Sequence, residues 1–126
     1  MQEYVLKPND FLVSQTDETG KIIFANEDFC RVAGFSLNEL IGKPHSIVRH
    51  TDMPKAAFKS LWETVKDGRV WSGYVKNRTK DGGFYWVYAT VYPSKGVDGS
   101  HGYMSCRRKP SSKEIESVKA LYATLN

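Results

Sequence analysis

The sequence has little of what marks secreted, metal-binding or membrane-spanning proteins. Its two cysteines, Cys30 and Cys106, are too few for a disulfide scaffold and lack the CxxC spacing of a metal site. The uncharged apolar runs are far shorter than the roughly 20 residues that a membrane span requires. No basic and apolar secretion signal opens the sequence. We therefore expect a soluble, cytoplasmic domain.

Composition narrows the class of protein further. A hydrophobic fraction of 40% and a charged fraction of 25% over 126 residues exclude disordered, collagen-like and coiled-coil chains. The net charge of +4 permits nucleic-acid or phosphate binding but establishes neither, and basic runs such as Arg107–Lys109 are expected to be solvated. No Ser-His-Asp order, Walker loop or metal triad is present, so we expect no enzyme activity. The aromatic fraction of 13% implies rings that are buried or that bind something.

The first half of the sequence predicts a hairpin followed by short helices. Residues 1–10 lack clear periodicity and are expected to form a flexible or swapped lead-in. Alternation over Phe11–Asp17, a glycine-containing turn and Ile22–Ala25 predict two strands of a hairpin. Three short helices are expected from Asn26 to Gly34, from the capping box at Ser36 to Gly42, and from Asp52 to about Lys66.

The second half changes to the two-residue period of strands. The predicted strands are Val70–Arg78, Phe84–Tyr92 and His101–Arg108. A loop is expected at Pro93–Ser100, and a second capping box at Ser111–Glu114 begins a C-terminal exit helix. The order predicts an α+β domain at residues 11–110, with exit helix 111–126. Its five-stranded antiparallel sheet is expected to carry the short helices on one face.

The element order and several motifs resemble the PAS family of sensor domains. The motifs are GFSLNELIGK at Gly34–Lys43, PHSIVRHTDMPKAAF at Pro44–Phe58, WSGYVKNRTKDG at Trp71–Gly82 and GYMS at Gly102–Ser105. Within the family they are most similar to the PAS domains of bacterial aerotaxis and energy-taxis proteins. The resemblance implies the PAS fold, noncovalently bound FAD, and sensing of redox or respiratory state for aerotaxis. It also implies a partner signalling domain, in a full-length protein that is membrane-anchored or consists of PAS domains alone.

Strand parity gives a second, independent indication of the pocket. The face of the third strand expected to be buried carries Trp71, Gly73, Val75 and Asn77. The amide of Asn77 can donate and accept, as the pyrimidine edge of an isoalloxazine ring requires, although a strand-end amide bonded to backbone is the alternative. Trp71 fits either ring contact or core packing. On the next strands we place Tyr85 inward with its alternating set, and Met104 inward as a polarizable contact.

The most specific cluster is the VRHTD segment between the second and third helices. Arg49 can neutralise a diphosphate through charge-assisted hydrogen bonds, and His50 can donate to phosphate or ring. Asp52 can orient either residue, or cap the third helix with Pro54 in its first turn. His45 can also reach the ring from the preceding loop.

Two further residues complete the predicted site. Asn26 caps the first helix, and the resemblance also places it at the ligand pocket. Trp62 lies on the apolar stripe of the third helix, where it packs in the core or contacts the edge of the ring. The predicted cofactor-binding residues are Asn26, His45, Arg49, His50, Asp52, Trp62, Trp71, Asn77, Tyr85 and Met104.

Two alternatives to a flavin sensor stay open at this level. Haem could bind through His45 or His50 as the axial ligand, or the domain could mediate interactions without a cofactor. Trp86, Tyr88 and Tyr92 share the sheet face opposite the pocket, which predicts a homodimer or a docked partner domain, unless the N-terminal segment or exit helix covers that face. We expect no nucleic-acid partner and no membrane contact by this chain, although the full-length protein can be membrane-anchored.

Overall fold

The computed structural model describes residues 2–125; Met1 of the predicted lead-in and Asn126 of the predicted exit helix lie outside them. The strands are β1 (Phe11–Asp17), β2 (Ile22–Ala25), β3 (Trp71–Arg78), β4 (Phe84–Lys95) and β5 (His101–Arg108). The helices are α1 (Glu27–Ala33), α2 (Leu37–Leu40), α3 (Lys55–Lys66) and α4 (Ser112–Tyr122), with a 3₁₀ turn at His45–Val48. One antiparallel sheet runs in the order β2-β1-β5-β4-β3. The predicted α+β fold with a five-stranded antiparallel sheet is confirmed.

Local capping chemistry sets several helix ends as the sequence predicts. The Oδ1 atom of Asn26 accepts a hydrogen bond from the backbone of Phe29, and α1 ends at Gly34 with a φ of +83°. A side chain with a Cβ would be strained in that left-handed conformation. Capping boxes form at Ser36–Glu39 and Ser111–Glu114.

The start of α3 differs from the prediction. Pro54 is the N-cap and makes no side-chain cap hydrogen bond, so the helix begins at Lys55. Asp52 does not cap it, because its Oδ2 atom lies 2.7 Å from the Nζ atom of Lys76 on β3. A tertiary ion pair has therefore replaced the local cap that the sequence suggested.

Strand β4 is longer than predicted, since it continues through Pro93 to Lys95. The ladder between β3 and β4 begins at Trp71 opposite Val91, so the rest of β4 has β5 as its neighbour on one side. Proline is tolerated in such a position because its missing N–H can face the open edge of the sheet.

The N-terminal segment is packed against the domain rather than free. The backbone N–H of Tyr4 donates to the carbonyl of Phe84 at 2.9 Å, and Leu6 is only 2% exposed. Asp10 accepts hydrogen bonds from the hydroxyl of Tyr4 and the backbone of Lys7. Over residues 2–10 the expectation of a flexible lead-in is therefore wrong, because apolar burial and the Asp10 carboxylate fix a segment that has no periodicity, whereas a swap between two copies stays a prediction.

The two faces of the sheet bury different kinds of side chain. Residues paired across antiparallel strands point to the same face, so Ser14, Ser105, Val91 and Trp71 form one row on the face covered by α1 and α3. We call this the inner face and the opposite one the outer face.

Helix α4 covers part of the outer face within the same chain. Trp86 is 5% exposed and its ring centroid lies 6.4 Å from that of Tyr122 on α4. The hydroxyl of Tyr122 also donates to the carbonyl of Tyr74 at 2.6 Å. This packing favours the alternative in which the exit helix, rather than a partner, covers Trp86. Among residues 2–125, no helix is both long and apolar enough to cross a membrane.

Candidate functional site

A pocket lies between the inner face of the sheet and the helical layer. The space around it is about 650 Å³ when the open mouth is counted, and the cavity proper has a volume of about 80 Å³. The sheet contributes Thr16, Val75, Asn77, Ala89, Val91, Tyr103, Ser105 and Arg107. The helical side contributes His45, Ser46, Arg49, Phe58, Leu61 and Trp62. The walls are largely apolar, with a few polar groups directed inward.

Three buried polar atoms of this lining have no hydrogen-bond partner within the described part of the chain. They are the hydroxyls of Thr16 and Ser105 and the Nη1 atom of Arg107. Buried polar groups in folded proteins are as a rule hydrogen-bonded. A ligand with a polar edge would satisfy these atoms.

Arg107 is the pocket residue that the sequence interpretation missed. It is 4% exposed, and its Nη2 atom donates to Nε2 of His45 at 2.7 Å and to the hydroxyl of Ser14 at 3.0 Å. Burial lowers the pKa of Arg107 to about 10, so it stays charged at neutral pH. Burial, assisted by the charge of Arg107, lowers the pKa of His45 to about 3. His45 is therefore a neutral acceptor.

Arg49 and Asn77 are brought together at the pocket. Their backbones form an antiparallel bridge that pairs the segment after the 3₁₀ turn with the edge of β3, and both side chains line the pocket. The guanidinium carbon of Arg49 lies 3.6 Å from the ring centroid of Phe58. Burial lowers the pKa of Arg49. Arg49 is nevertheless exposed to solvent, so its charge is available at the mouth of the pocket.

Trp62 lines the pocket from α3. Its ring meets that of Tyr103 edge to face, with centroids 5.3 Å apart. Of the predicted site residues, those on the pocket lining are His45, Arg49, Trp62 and Asn77.

Trp71 and Tyr85 lie on the inner face but behind or beside the lining. The Trp71 ring folds back over Gly73, where an added Cβ would lie 2.5 Å from the ring. The space that this glycine leaves is thus filled by Trp71 rather than by a ligand. Tyr85 is fully buried, and burial raises its pKa to about 12 although the nearby charge of Arg107 opposes this shift.

The His50 and Asp52 part of the predicted cluster lies at the edge of β3, away from the pocket lining. Nδ1 of His50 accepts from the backbone N–H of Asp52 at 3.0 Å, and its ring packs edge to face on Phe84. Burial, followed by the charge of Lys76, lowers the pKa of His50. These two residues join the loop to the sheet, since Asp52 also pairs with Lys76.

Asn26 also lies outside the lining. Its Oδ1 atom accepts from the backbones of Phe29 and Val13, and its Nδ2 atom donates to the carbonyl of Phe11 at 2.8 Å. The amide is thus used for capping α1 and for fixing that helix to β1.

The expected inward orientation of Met104 is wrong. Ser105 pairs with the inner-face residue Val91, whereas Met104 pairs with Tyr92 of the outer-face set. Since adjacent residues of a strand point to opposite faces, Met104 lies on the outer face. Cross-strand register decided this orientation, which the local pattern of β5 alone did not.

The structure is an α+β domain with a pocket between a five-stranded sheet and its helical cover. A family model described as PAS fold matches residues 22–107. The chain belongs to the PAS family. Over the described residues, no group of three or more His, Cys, Asp or Glu side chains is arranged to hold a metal ion.

Relatives among curated proteins include signalling and regulatory proteins. The chain is 46% identical to the aerotaxis receptor of Escherichia coli K12 over 99% of its length, covering 25% of the receptor. It is 30% identical to the nitrogen fixation regulatory protein of Klebsiella oxytoca over 76% of its length, covering 20% of that protein. The chain thus spans about a quarter or less of the length of these two relatives.

Solved structures share the fold at low sequence identity. One described as "Flavin Analogue Sheds Light on Light-Oxygen-Voltage Domain Mechanism" has a TM-score of 0.75 at 16% identity, covering 91% of this chain and 88% of that one. The dark structure of the blue-light photoreceptor Aureochrome1 LOV has a TM-score of 0.72 at 18% identity, covering 88% and 86%. The chain is therefore a PAS domain in fold and in sequence similarity.

Proposed function

We propose that this domain binds a flavin, FAD, and reports redox or respiratory state for aerotaxis or energy taxis. The observation that carries the proposal is the pocket with apolar walls into which Thr16, Ser105 and Arg107 direct polar atoms without protein partners. A flavin ring has apolar faces and an edge of alternating donors and acceptors. These properties complement such a pocket.

Two similar proteins support this proposal. The relative that is 46% identical is an aerotaxis receptor, which suggests sensing linked to oxygen or respiration. A structure whose description names a flavin analogue shares the fold.

The residues of the pocket fit the parts of FAD. Arg49, at the mouth, would bind the diphosphate, because a guanidinium matches phosphate oxygens in a bidentate manner. Ala89 and Val91 would contact the ring face, and Asn77 would hydrogen-bond to the pyrimidine edge. When bound, the flavin supplies reversible uptake of electrons.

A change in hydrogen bonding at the ring edge would pass through β3. Asn77 lies on this strand, and the carbonyl of Tyr74 on the same strand accepts the hydrogen bond from Tyr122 on α4. A shift of β3 would therefore alter how α4 packs on the outer face. The exit helix is then the bistable element that carries the signal to a partner.

The geometry disfavours the haem alternative. Nε2 of His45 already accepts a hydrogen bond from Arg107, so its lone pair is not free to bind iron. His50 lies outside the lining, with Nδ1 occupied by the backbone of Asp52. The unpartnered buried atoms of the pocket likewise disfavour a module without any ligand.

The proposed function also implies a signalling partner and a cellular location. Because the chain spans 25% of the aerotaxis receptor, the partner would be a signalling domain of the same protein or a second copy of this one. The parts of Tyr88 and Tyr92 that α4 leaves accessible would form the contact. The domain would work in the cytoplasm.

The visible absorption spectrum of the purified protein, before and after incubation with FAD, tests the proposal. We expect flavin bands that remain with the protein after gel filtration. A Soret band would favour haem, and a protein that stays colourless after incubation with FAD would contradict the proposal. Far-UV circular dichroism of the same sample checks that the protein is folded.

A further inference from the structure

Arg31 and Arg107 differ in whether a carboxylate compensates the charge of the guanidinium group. Arg31 lies 2.8 Å from a carboxylate oxygen of Asp10 and 3.2 Å from one of Asp28. Arg107 is far more deeply buried, yet no carboxylate of residues 2–125 pairs with it. A buried charge without a partner is among the most costly features of a protein interior. The fold retains such a charge at the wall of its pocket.

The side chain of Arg107 is held firmly but is not neutralised. Its Nη2 atom donates to His45 and Ser14, both of which are neutral acceptors. Its guanidinium carbon lies 5.1 Å from the ring centroid of Phe29. These contacts fix the direction of the guanidinium, while Nη1 remains buried without a partner.

The groups around Arg107 supply no negative charge. The hydroxyls of Ser105 and Thr16 are neutral and themselves lack partners. Tyr85 stays protonated at neutral pH, since burial raises its pKa to about 12. An anionic group of a ligand in the pocket would therefore compensate the charge of Arg107.

We propose that Arg107 makes the pocket favour the negatively charged, reduced form of its flavin over the neutral, oxidised form. The inference rests on the proposed function and goes beyond it by assigning a redox preference to one residue. Arg107 differs in this role from Arg49, which lies exposed at the mouth on Phe58. A charge at the mouth is screened by water, whereas one inside the pocket acts at low dielectric on the ring.

The chemical step is reduction of the bound flavin by dithionite, which is oxidised to sulfite. With two electrons from dithionite and one proton from water, a bound flavin would carry one negative charge at neutral pH, which Arg107 would stabilise. Arg107 keeps its own proton throughout and loses none to the ring. Its contribution is electrostatic, and the midpoint potential of the bound flavin reports it.

Anaerobic redox titration of the flavin-loaded protein tests the inference. Arg107→Gln should weaken binding of the reduced ring at least tenfold relative to the oxidised ring. For a two-electron couple this lowers the midpoint potential by about 30 mV for each factor of ten. Arg107→Lys, which keeps the charge, should recover most of the wild-type potential. Arg108→Gln is the matched control, because Arg108 lies over Tyr88 on the outer face, and its potential should equal that of the wild type.

The outcomes separate this inference from the proposed function. A wild-type protein that does not bind FAD would overturn both. Bound flavin with the same potential in wild type and Arg107→Gln would overturn this inference alone. If Arg107→Gln does not retain flavin, the midpoint potential of flavin bound to the wild-type protein is compared with that of free FAD. The inference requires a higher potential for the bound flavin, and an equal or lower value would overturn it.

Discussion

The inner and outer faces of the sheet differ in how their side chains are packed and hydrogen-bonded. On the inner face, the pocket-lining residues Ser105 and Ala89 are small, and the hydroxyl of Thr16 and Nη1 of Arg107 are left without partners among the described residues. On the outer face, aromatic rings pack on each other and against α4. The unpartnered polar atoms on the inner face cost folding stability around the cavity, whereas the packed rings on the outer face contribute stability through buried aromatic area.

This contrast implies that the two faces can be perturbed separately. Substitutions on the outer face should lower the free energy of unfolding and leave ligand binding intact. Substitutions of polar residues that line the pocket should weaken or alter the bound ligand at little cost in stability. For each variant, the free energy of unfolding and the flavin-to-protein ratio are therefore both measured.

Trp86→Ala should have the largest effect, on stability. Trp86 is 5% exposed beneath Tyr122 of α4, and removing a buried tryptophan costs about 3–5 kcal/mol. Urea unfolding should show this loss, while the flavin-to-protein ratio of the folded protein stays at the wild-type value. Trp86→Phe keeps a ring and should lose much less. A loss below about 1 kcal/mol for the alanine variant would show that α4 does not depend on this contact.

Arg49→Ala should have the next largest effect, on ligand affinity. Its side chain lines the mouth of the pocket and stacks on Phe58. Loss of a charge-assisted pair with the diphosphate costs about 1.5–3 kcal/mol, or roughly tenfold to hundredfold in affinity. Fluorescence titration with FAD measures the change. Arg49→Lys keeps the charge without the bidentate geometry, so its affinity for FAD should lie between those of the wild type and of Arg49→Ala. Equal flavin content in wild type and the folded alanine variant would refute the role.

Much of the frame could be predicted from local sequence signals. The capping boxes at Ser36 and Ser111 and the glycine end of α1 act over a few residues, so the sequence contains all the atoms involved. Strand alternation placed Asn77 and Tyr85 on the inner face for the same reason.

The errors arose where a distant partner decided the outcome. Asp52 left its capping position for Lys76, and Met104 was turned outward by the register of β5 with β4. Arg107 was expected to be solvated, because a buried arginine without a carboxylate contradicts the usual pattern of burial. The ligand that we propose for the pocket, which the sequence does not contain, would give this residue a reason to be buried.

Tyr88→Asp should have a moderate effect that tests the docking hypothesis for the outer face. The Tyr88 ring lies 5.0 Å from that of Tyr74 and beneath the guanidinium of Arg108. Losing these contacts in one chain should cost about 1–2 kcal/mol in unfolding free energy, with unchanged association in sedimentation velocity. Tyr88→Phe should match the wild type. If association is lost while stability is retained, the outer face is a docking surface despite the cover that α4 provides.

Asn77→Ser should have the smallest effect and should be confined to the ligand. Asn77 lines the pocket from β3, so shortening it removes one polar contact with the ring edge while the apolar burial of the ring remains. A single hydrogen bond of this kind contributes about 1 kcal/mol net, so the site should stay occupied. The visible absorption bands or midpoint potential should shift, and the unfolding free energy should change little. Ser72→Ala, on the exposed side of the same strand, is the matched control and should leave both quantities unchanged. If the Asn77 variant behaves like this control, Asn77 does not contact the ring, and the contrast between the faces depends on Arg107 and the hydroxyls alone.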